Sequence, residues 1–262
     1  DVYTYSSGRA ALYQILKLLQ REKGIKRVLL PDYLCSSVLV PVKVLRLEFV
    51  FYPISEELKM EEQTFAQLYK SGDAVVIINY FGLQDLSEQI IFIRSLDETA
   101  IIIEDDVQAY YEFKKPLNDV DFKFTSLRKT FAVSDGGLVK TDYPLPIVET
   151  PNSFGQYKAA AGLLKSMREG NFNDKIYLEM FEKSEAMIDD ELECGFSRIA
   201  SKLYSIVDEE RVKIRRLNNA HHLVEGLAKI GVEPLLPLSE DKVPLFMPIR
   251  LENRDEVRRK MF

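Results

Sequence analysis

Three short stretches of this sequence carry residues that could do chemistry together. Lys129 lies just beyond the run Asp121-Phe-Lys-Phe-Thr-Ser126, and seven residues after it a Gly136-Gly137 pair opens the run Gly137-Leu-Val-Lys-Thr141. A lysine amine at the end of a strand can bond an aldehyde as a Schiff base. Upstream, Ala100-Ile-Ile-Ile-Glu104-Asp105-Asp106 is an apolar run that ends in carboxylates. A buried carboxylate there can pair with a protonated ring nitrogen and keep it cationic. Near the start, Ser6-Ser7-Gly8-Arg9-Ala10-Ala11 is a small-residue turn that opens a helical pattern. Helix N-termini present unpaired N–H groups and the positive end of a dipole, and glycine lets an anion come close. Anion cradle, acid and lysine are together the parts that hold a phosphorylated aldehyde cofactor.

Each stretch also has a plainer reading. The glycine turn alone is an ordinary capped helix start. The acids at 104–106 would suit a solvated loop, or a Mg²⁺ site. No GxxxxGK[ST] phosphate-transfer motif accompanies them, which weakens the metal reading. Lys129 follows Arg128 and would suit a basic surface turn. Ser126-Leu-Arg-Lys129 also fits the S-x-x-K pattern of acyl-serine enzymes. That pattern needs a helix start at the serine and a K-T-G partner. Here the serine closes a strand pattern, and the nearest partner is Lys140-Thr-Asp142. The pair Tyr80-Phe81, before Gly82, could line a crevice, with core packing expected for at least one ring.

Composition narrows the class. The chain has 262 residues, 46% of them hydrophobic, enough for a large domain or for one and a half. A net charge of −6, with Lys and Arg scattered among acids, argues against nucleic-acid binding. The basic cluster Arg211, Lys213, Arg215, Arg216 follows Asp208-Glu-Glu210 and reads as a solvated helix face. Two cysteines, Cys35 and Cys194, make no disulfide framework, so a reducing compartment is expected. The two histidines, His221 and His222, are adjacent and would point about 100° apart on a helix, so no metal site is expected. No apolar run reaches membrane-spanning length and no signal peptide is visible, so a cytoplasmic protein is expected.

Patterning then supplies the elements that must position these residues. Helices are expected over 8–23, 36–45, 61–70, 86–96, 158–169 and 175–191, the last two broken by Gly170-Asn-Phe-Asn-Asp174. One long helix is expected over 199–229. Strands are expected over 27–31, 49–54, 74–81, 100–104, 121–126, 137–141 and 243–251, with a further helix starting at Arg254. Alternation of short β-rich runs with helices predicts an α/β fold, a mainly parallel sheet with helices on both faces. The strand ends near Asp32, Asn79 and Asp105 should face one crevice. The expected division is a large domain over 1–210, with a helical segment at about 155–193, and a small C-terminal α+β domain over 211–262. That small domain is entered through the long helix and cut short.

Taken in order, these stretches resemble the DegT-type (DegT/DnrJ) sugar aminotransferases, fold-type I enzymes that use pyridoxal 5′-phosphate. Ser7-Gly8-Arg9-Ala10-Ala11-Leu12 is similar to the family's S-G-T-A-A-L turn, and Leu30-Pro31-Asp-Tyr33 to its V-P-x-Y. Asn79-Tyr80-Phe81-Gly82 is similar to H-x-Y-G, and Glu104-Asp105-Asp106-Val107-Gln108-Ala109 to E-D-A-A-Q-A. Lys129 with Asp135-Gly136-Gly137 resembles K-x5-E-G-G, and Lys129 stands 24 positions after Asp105. The matches span roughly the first 140 residues, and their joint order is far more specific than any single motif.

The resemblance implies roles. Lys129 carries the cofactor as a Schiff base and Asp105 holds the pyridinium nitrogen. Gln108 contacts the 3-oxygen side of the ring, and Gly8, Arg9 and Ser126 hold the phosphate. The sequence departs from the pattern in several places. Phe124 stands where the family has a serine five residues before the lysine, and Ser126 stands three before it. Arg9 replaces the threonine of the turn. The aromatic residue that stacks on the ring falls on Cys35, so either Cys35 or Tyr33 covers it. Gly195-Phe-Ser197-Arg198 is only loosely similar to G-Y-N-Y-R-M-S, whose asparagine reaches the phosphate of a neighbouring subunit. The implied function is transfer of an amino group from an amino acid to a keto-sugar, nucleotide-linked in the family's manner, in surface-polysaccharide or amino-sugar biosynthesis, by a homodimer. A non-sugar substrate and a non-catalytic relic of the same fold are the alternatives. Dehydratases of the family carry histidine at the lysine position, and Lys129 argues against that branch.

Overall fold

The nearly unbroken apolar runs of the sequence are strands buried on both faces. In the computed structural model, which describes residues 1–167 and 175–261, seven strands form one sheet. They are β1 (Val2–Tyr5), β2 (Arg27–Pro31), β3 (Glu48–Tyr52), β4 (Ala74–Ile78), β5 (Ile101–Asp105), β6 (Phe122–Ser126) and β7 (Gly137–Thr141). Their order is β1-β7-β6-β5-β4-β2-β3. Pairs among β2 to β6 are parallel, and β7 runs antiparallel to both β6 and β1. Alternate residues feed two cores. Val28, Leu30, Val76, Ile78 and Ile103 pack on one face, and Leu29, Val75, Ile77 and Ile102 on the other. A two-sided sheet of this kind needs apolar residues at successive positions rather than every second one.

Helices cover both faces. They are α1 (Gly8–Lys23), α2 (Leu39–Val44), α3 (Glu62–Leu68), α4 (Ser87–Leu96), α5 (Tyr110–Phe113), α6 (Leu127–Thr130), α7 (Phe154–Ser166), α8 (Lys175–Met187), α9 (Arg198–Ser205), α10 (Glu209–Ala228) and α11 (Arg254–Met261). α1 is the best specified. The Ser7 hydroxyl accepts the Ala10 N–H at its start, and left-handed Gly24 (φ 66°) closes it. Its Leu12, Ile15, Leu16 and Leu19 are buried in the core with Phe122, Phe124 and Val139.

The structure corrects the expected elements in several places. β1 was not anticipated, because four residues give little periodicity to read. The segment 36–45 is a 3₁₀ turn, Ser36–Val38, followed by α2, whose first turn accommodates Pro41. The long helix expected over 199–229 is two helices. Ser197 caps α9 through Ala200 N–H, and Asp208 caps α10 through Arg211 N–H. Between them the Ile206 and Val207 N–H groups fold back onto the last carbonyls of α9 and close it. The strand expected over Val243–Leu251 is irregular apart from a single bridge between Pro234 and Ile249. Pro244 and Pro248 remove two of its ladder donors. The break expected at Gly170–Asp174, with the end of the helix at 168–169, lies outside the described residues. Among the described residues no helix is long and apolar enough to cross a membrane.

Candidate functional site

The carboxyl ends of the parallel strands and the N-terminus of α1 enclose a cavity of about 390 Å³. That is the place where sheets of this kind bind ligands, and the volume is that of a small-molecule site. Gly8, Arg9, Cys35, Asp105, Gln108, Ser126 and Lys129 all line it. The structure therefore brings these seven residues, expected to hold or work on a cofactor, to one place.

Close backbone approaches build the anion end. A Cβ on Gly8 would lie 3.2 Å from Ser126 Cβ and 3.3 Å from Val107 Cγ2, so glycine lets the helix start settle onto the end of β6. A Cβ on Gly137 would lie 2.1 Å from the Ser7 carbonyl oxygen. The Gly136 N–H donates to Ser6 O at 2.6 Å, and the Leu127 N–H donates to Gly136 O at 3.0 Å. The Gly-Gly pair is thus the joint that holds both the turn at 6–8 and the lysine loop. Ser7 already takes the N–H groups of Ala10 and Ala11, leaving those of Gly8 and Arg9 for a ligand. The Arg9 guanidinium pairs with Asp189 and lies 3.8 Å from Glu185.

Asp105 ends β5 and is buried. Its Oδ1 accepts the Val107 N–H at 2.9 Å. Burial, helped by the charge of Glu104 and opposed by that hydrogen bond, pushes its pKa up to about 7. Lys129 sits on the single turn α6, and Arg216 of α10 donates to the Lys129 and Thr130 carbonyls at 3.4 and 3.3 Å. The Gln108 amide oxygen accepts the Phe81 N–H at 3.2 Å, which leaves its amide nitrogen as the donor for a ligand. Tyr33 and Cys35 both reach the cavity wall. Tyr33 is 5.5 Å from the Tyr80 ring, and the Tyr80 hydroxyl donates to the Tyr33 carbonyl at 2.6 Å. Cys35 accepts from the Ser37 hydroxyl at 3.1 Å. Burial would raise its pKa, but Ser37 and the charges of Lys129 and Arg9 outweigh burial and hold the thiol below its ordinary value.

Some expectations need correction. Of the three strand-end residues expected in the crevice, only Asp105 reaches it. Asp32 turns aside to accept the Ile54 N–H at 3.0 Å, and Asn79 is buried off the cavity wall. Both Tyr80 and Phe81 line the cavity, and Tyr80 is also buried in the core, as expected for at least one of the two rings. Phe81 lines it with a left-handed backbone, φ 62°. Lys140, the second lysine that an acyl-serine site would need, donates to the carbonyls of Phe113, Lys114 and Lys115 at 2.6 to 2.9 Å, away from the cavity. Ser197 does not reach the cavity either. It donates its hydroxyl and its N–H to Asp135 at 2.7 and 2.8 Å. Asp135 also accepts from Ser134 and Asn152, so it fastens the start of α9 to the Gly-Gly joint.

Sequence reading missed Arg128, Leu245 and Phe246 as lining residues. Leu245 arrives because its N–H donates to Phe81 O at 2.8 Å, a contact between segments far apart in the chain. Arg128 had a signal in its position next to the lysine.

No protein-family model matches the sequence, and no curated protein matches it. Solved structures do match the fold. The sugar aminotransferase CalS13 from Micromonospora echinospora superposes with a TM-score of 0.61 at 18% identity, over 99% of this chain and 70% of that one. A DegT/DnrJ/EryC1/StrS aminotransferase from Brucella abortus gives 0.58 at 16% identity, over 100% of this chain and 68% of the other. NtdA from Bacillus subtilis, solved with bound cofactor PMP, gives 0.59 at 15% identity, over 98% and 56%. This chain has the fold of the fold-type I aminotransferases, and the resemblance carried by its motifs extends to its architecture.

Proposed function

We propose that this chain is a pyridoxal-phosphate-dependent aminotransferase that moves an amino group from an amino acid to a keto-sugar. The observation that carries the reading is that Lys129 and the buried Asp105 line one cavity whose far wall is the N-terminus of α1. The residues fit the cofactor. Gly8 leaves a cradle that a Cβ would crowd, and the Gly8 and Arg9 N–H groups and Ser126 are placed for a phosphate. Asp105 is a buried acid whose pKa burial pushes up to about 7, and a protonated ring nitrogen beside it would supply the positive charge that its carboxylate lacks. When bound, the cofactor supplies an aldehyde and a conjugated ring that takes up the electron pair left when a substrate C–H bond loses its proton.

In this reading Lys129 would hold the cofactor through its aldehyde, and its Nζ, when free, would carry the proton at the substrate carbon. Asp105 holds the proton on the ring nitrogen, Gln108 orients the ring edge, and Tyr33 or Cys35 covers its face. Leu245 and Phe246 add apolar surface to one side of the cavity. A nucleotide-linked sugar, a role in surface-polysaccharide or amino-sugar synthesis, a homodimer and a cytoplasmic location belong to the same proposal. They rest on the family resemblance.

The test is visible absorbance after adding pyridoxal phosphate, with and without borohydride, followed by peptide mapping. A yellow band and a reduced adduct on Lys129 are expected, with both absent in Lys129→Ala. A colourless protein indifferent to borohydride would instead indicate a non-catalytic relic of the fold.

A further inference from the structure

Among the described residues, the anion end of the cavity carries more positive charge than the acids paired with it. Glu185 of α8 lies 3.0 Å from Arg128 Nη1 and 3.8 Å from Arg9 Nη2, and it also pairs with Lys158. One carboxylate therefore meets three cations, and Lys129 adds a fourth at the cavity wall, while Asp189 pairs only with Arg9 among them. Lys158 registers the excess. Its pKa is lowered by burial first and then by the charge of Arg128, with Glu185 opposing and Lys129 adding to the fall.

Arg128 is held on two sides. Glu185 takes Nη1, and the Phe154 ring lies 5.9 Å from the guanidinium carbon. Its Nε is buried and has no hydrogen-bond partner among the described residues, although the side chain lines the cavity. A buried, unpaired guanidinium N–H costs free energy unless a ligand accepts from it. Guanidinium is also the side-chain group best suited to phosphate oxygens. Hydroxyls at this end are few. Ser7 is spent on its cap, Phe124 contributes an apolar wall, and Ser126 remains.

We infer that Arg128 is a ligand of the cofactor phosphate, donating its free Nε–H, with Glu185 and Phe154 holding its guanidinium in place. The inference rests on the pyridoxal-phosphate reading and adds to it a residue that its motifs do not include. Arg128 would then supply to the phosphate what Lys129 supplies to the aldehyde, from adjacent positions in the chain.

The experiment compares pyridoxal phosphate with pyridoxal, which keeps the aldehyde and lacks the phosphate. Wild type, Arg128→Met and Arg128→Lys are titrated with each, following absorbance and the quenching of tyrosine fluorescence, since the chain has no tryptophan. Arg128→Met should weaken pyridoxal phosphate about 30-fold, the factor of one charge-assisted hydrogen bond, and leave pyridoxal within about 3-fold. Arg128→Lys keeps the charge and should lose less than about 10-fold, which maintains the test if the methionine variant fails to fold. Inorganic phosphate should compete with the cofactor in wild type and much less in Arg128→Met. Equal loss of both compounds, or no loss of either, in a wild type that takes up the cofactor overturns the role of Arg128 alone. A wild type that takes up neither compound overturns this inference and the aminotransferase reading together.

Discussion

Asp105 and Asp106 are consecutive residues that lie on opposite faces of the sheet. Asp105 follows Ile103 onto the α1 side and lines the cavity. Asp106 is fully buried on the side of Glu104, which pairs with Lys123 at 3.3 Å. The two-residue period of a strand makes this separation automatic. Neither Asp106 oxygen has a hydrogen-bond partner among the described residues. Burial, then the charge of Glu104, raises its pKa well above the ordinary value, with Lys123 opposing.

The consequence for stability has a definite sign. A carboxyl held above its unfolded pKa keeps its proton in the folded chain while the unfolded chain gives it up. Stability therefore falls as pH rises from the unfolded value toward the folded one. For Asp105 that window runs from 3.8 to about 7. An amide cannot ionise, so Asp105→Asn and Asp106→Asn should both melt above wild type at pH 8, and the gap should shrink at pH 5. Each kcal/mol recovered is worth about 2–4 °C. The cofactor separates them: Asp106→Asn should still be stabilised by pyridoxal phosphate, and Asp105→Asn far less. Melting curves at the two pH values, with and without cofactor, decide this. An Asp106→Asn protein that melts below wild type at pH 8 would mean that Asp106 is ionised and paired.

Two glycines should respond to alanine in opposite directions. A Cβ on Gly137 would meet the backbone of Ser7, which neither β7 nor the turn at 6–8 can move without breaking the Gly136-to-Ser6 hydrogen bond. Gly137→Ala should cost about 3 kcal/mol or more and weaken cofactor uptake with it. Gly226 lies within α10 and a Cβ there would meet nothing within 4 Å. Gly226→Ala should add about 0.5–1 kcal/mol, because alanine loses less chain entropy in a helix. Urea denaturation of the two variants reads both signs.

What the sequence made legible follows from the range of the interactions involved. Gly8, Asp105 and Lys129 could be read because each sits at a local transition, from strand or turn to helix, that leaves a mark in neighbouring residues. The apolar runs of β2, β4 and β5 were legible for a similar reason, being buried on both faces. The break at 206–208 was not, because helical periodicity continues across it and its sequence mark is a single capping side chain, Asp208. Leu245 and Phe246 were read as strand residues. Their place beside Phe81 depends on a backbone bond across the chain, which no periodicity records. Arg128 reads in the sequence as part of a basic surface turn, since a guanidinium next to a lysine usually faces water. Glu185 and Phe154, which hold it at the cavity, lie well beyond it in sequence.

The two cysteines should differ sharply in reactivity. Cys35 is exposed at the cavity, and Ser37 with the charges of Lys129 and Arg9 holds its thiol below the ordinary value against the effect of burial. Cys194 is partly buried, and burial together with Glu191 and Glu193 raises its thiol. Because the thiolate is the nucleophile, iodoacetamide near pH 7.5 should alkylate Cys35 about 10-fold or more faster than Cys194. Lys129→Ala should slow Cys35 by removing one of the charges that favour its thiolate, and leave Cys194 unchanged. Saturating pyridoxal phosphate should protect Cys35, since both occupy the same cavity. Peptide mass spectrometry over a time course measures all three effects. Equal rates at the two thiols, or Cys35 alkylation indifferent to both Lys129 and the cofactor, would place Cys35 outside the site and leave Tyr33 to cover the ring.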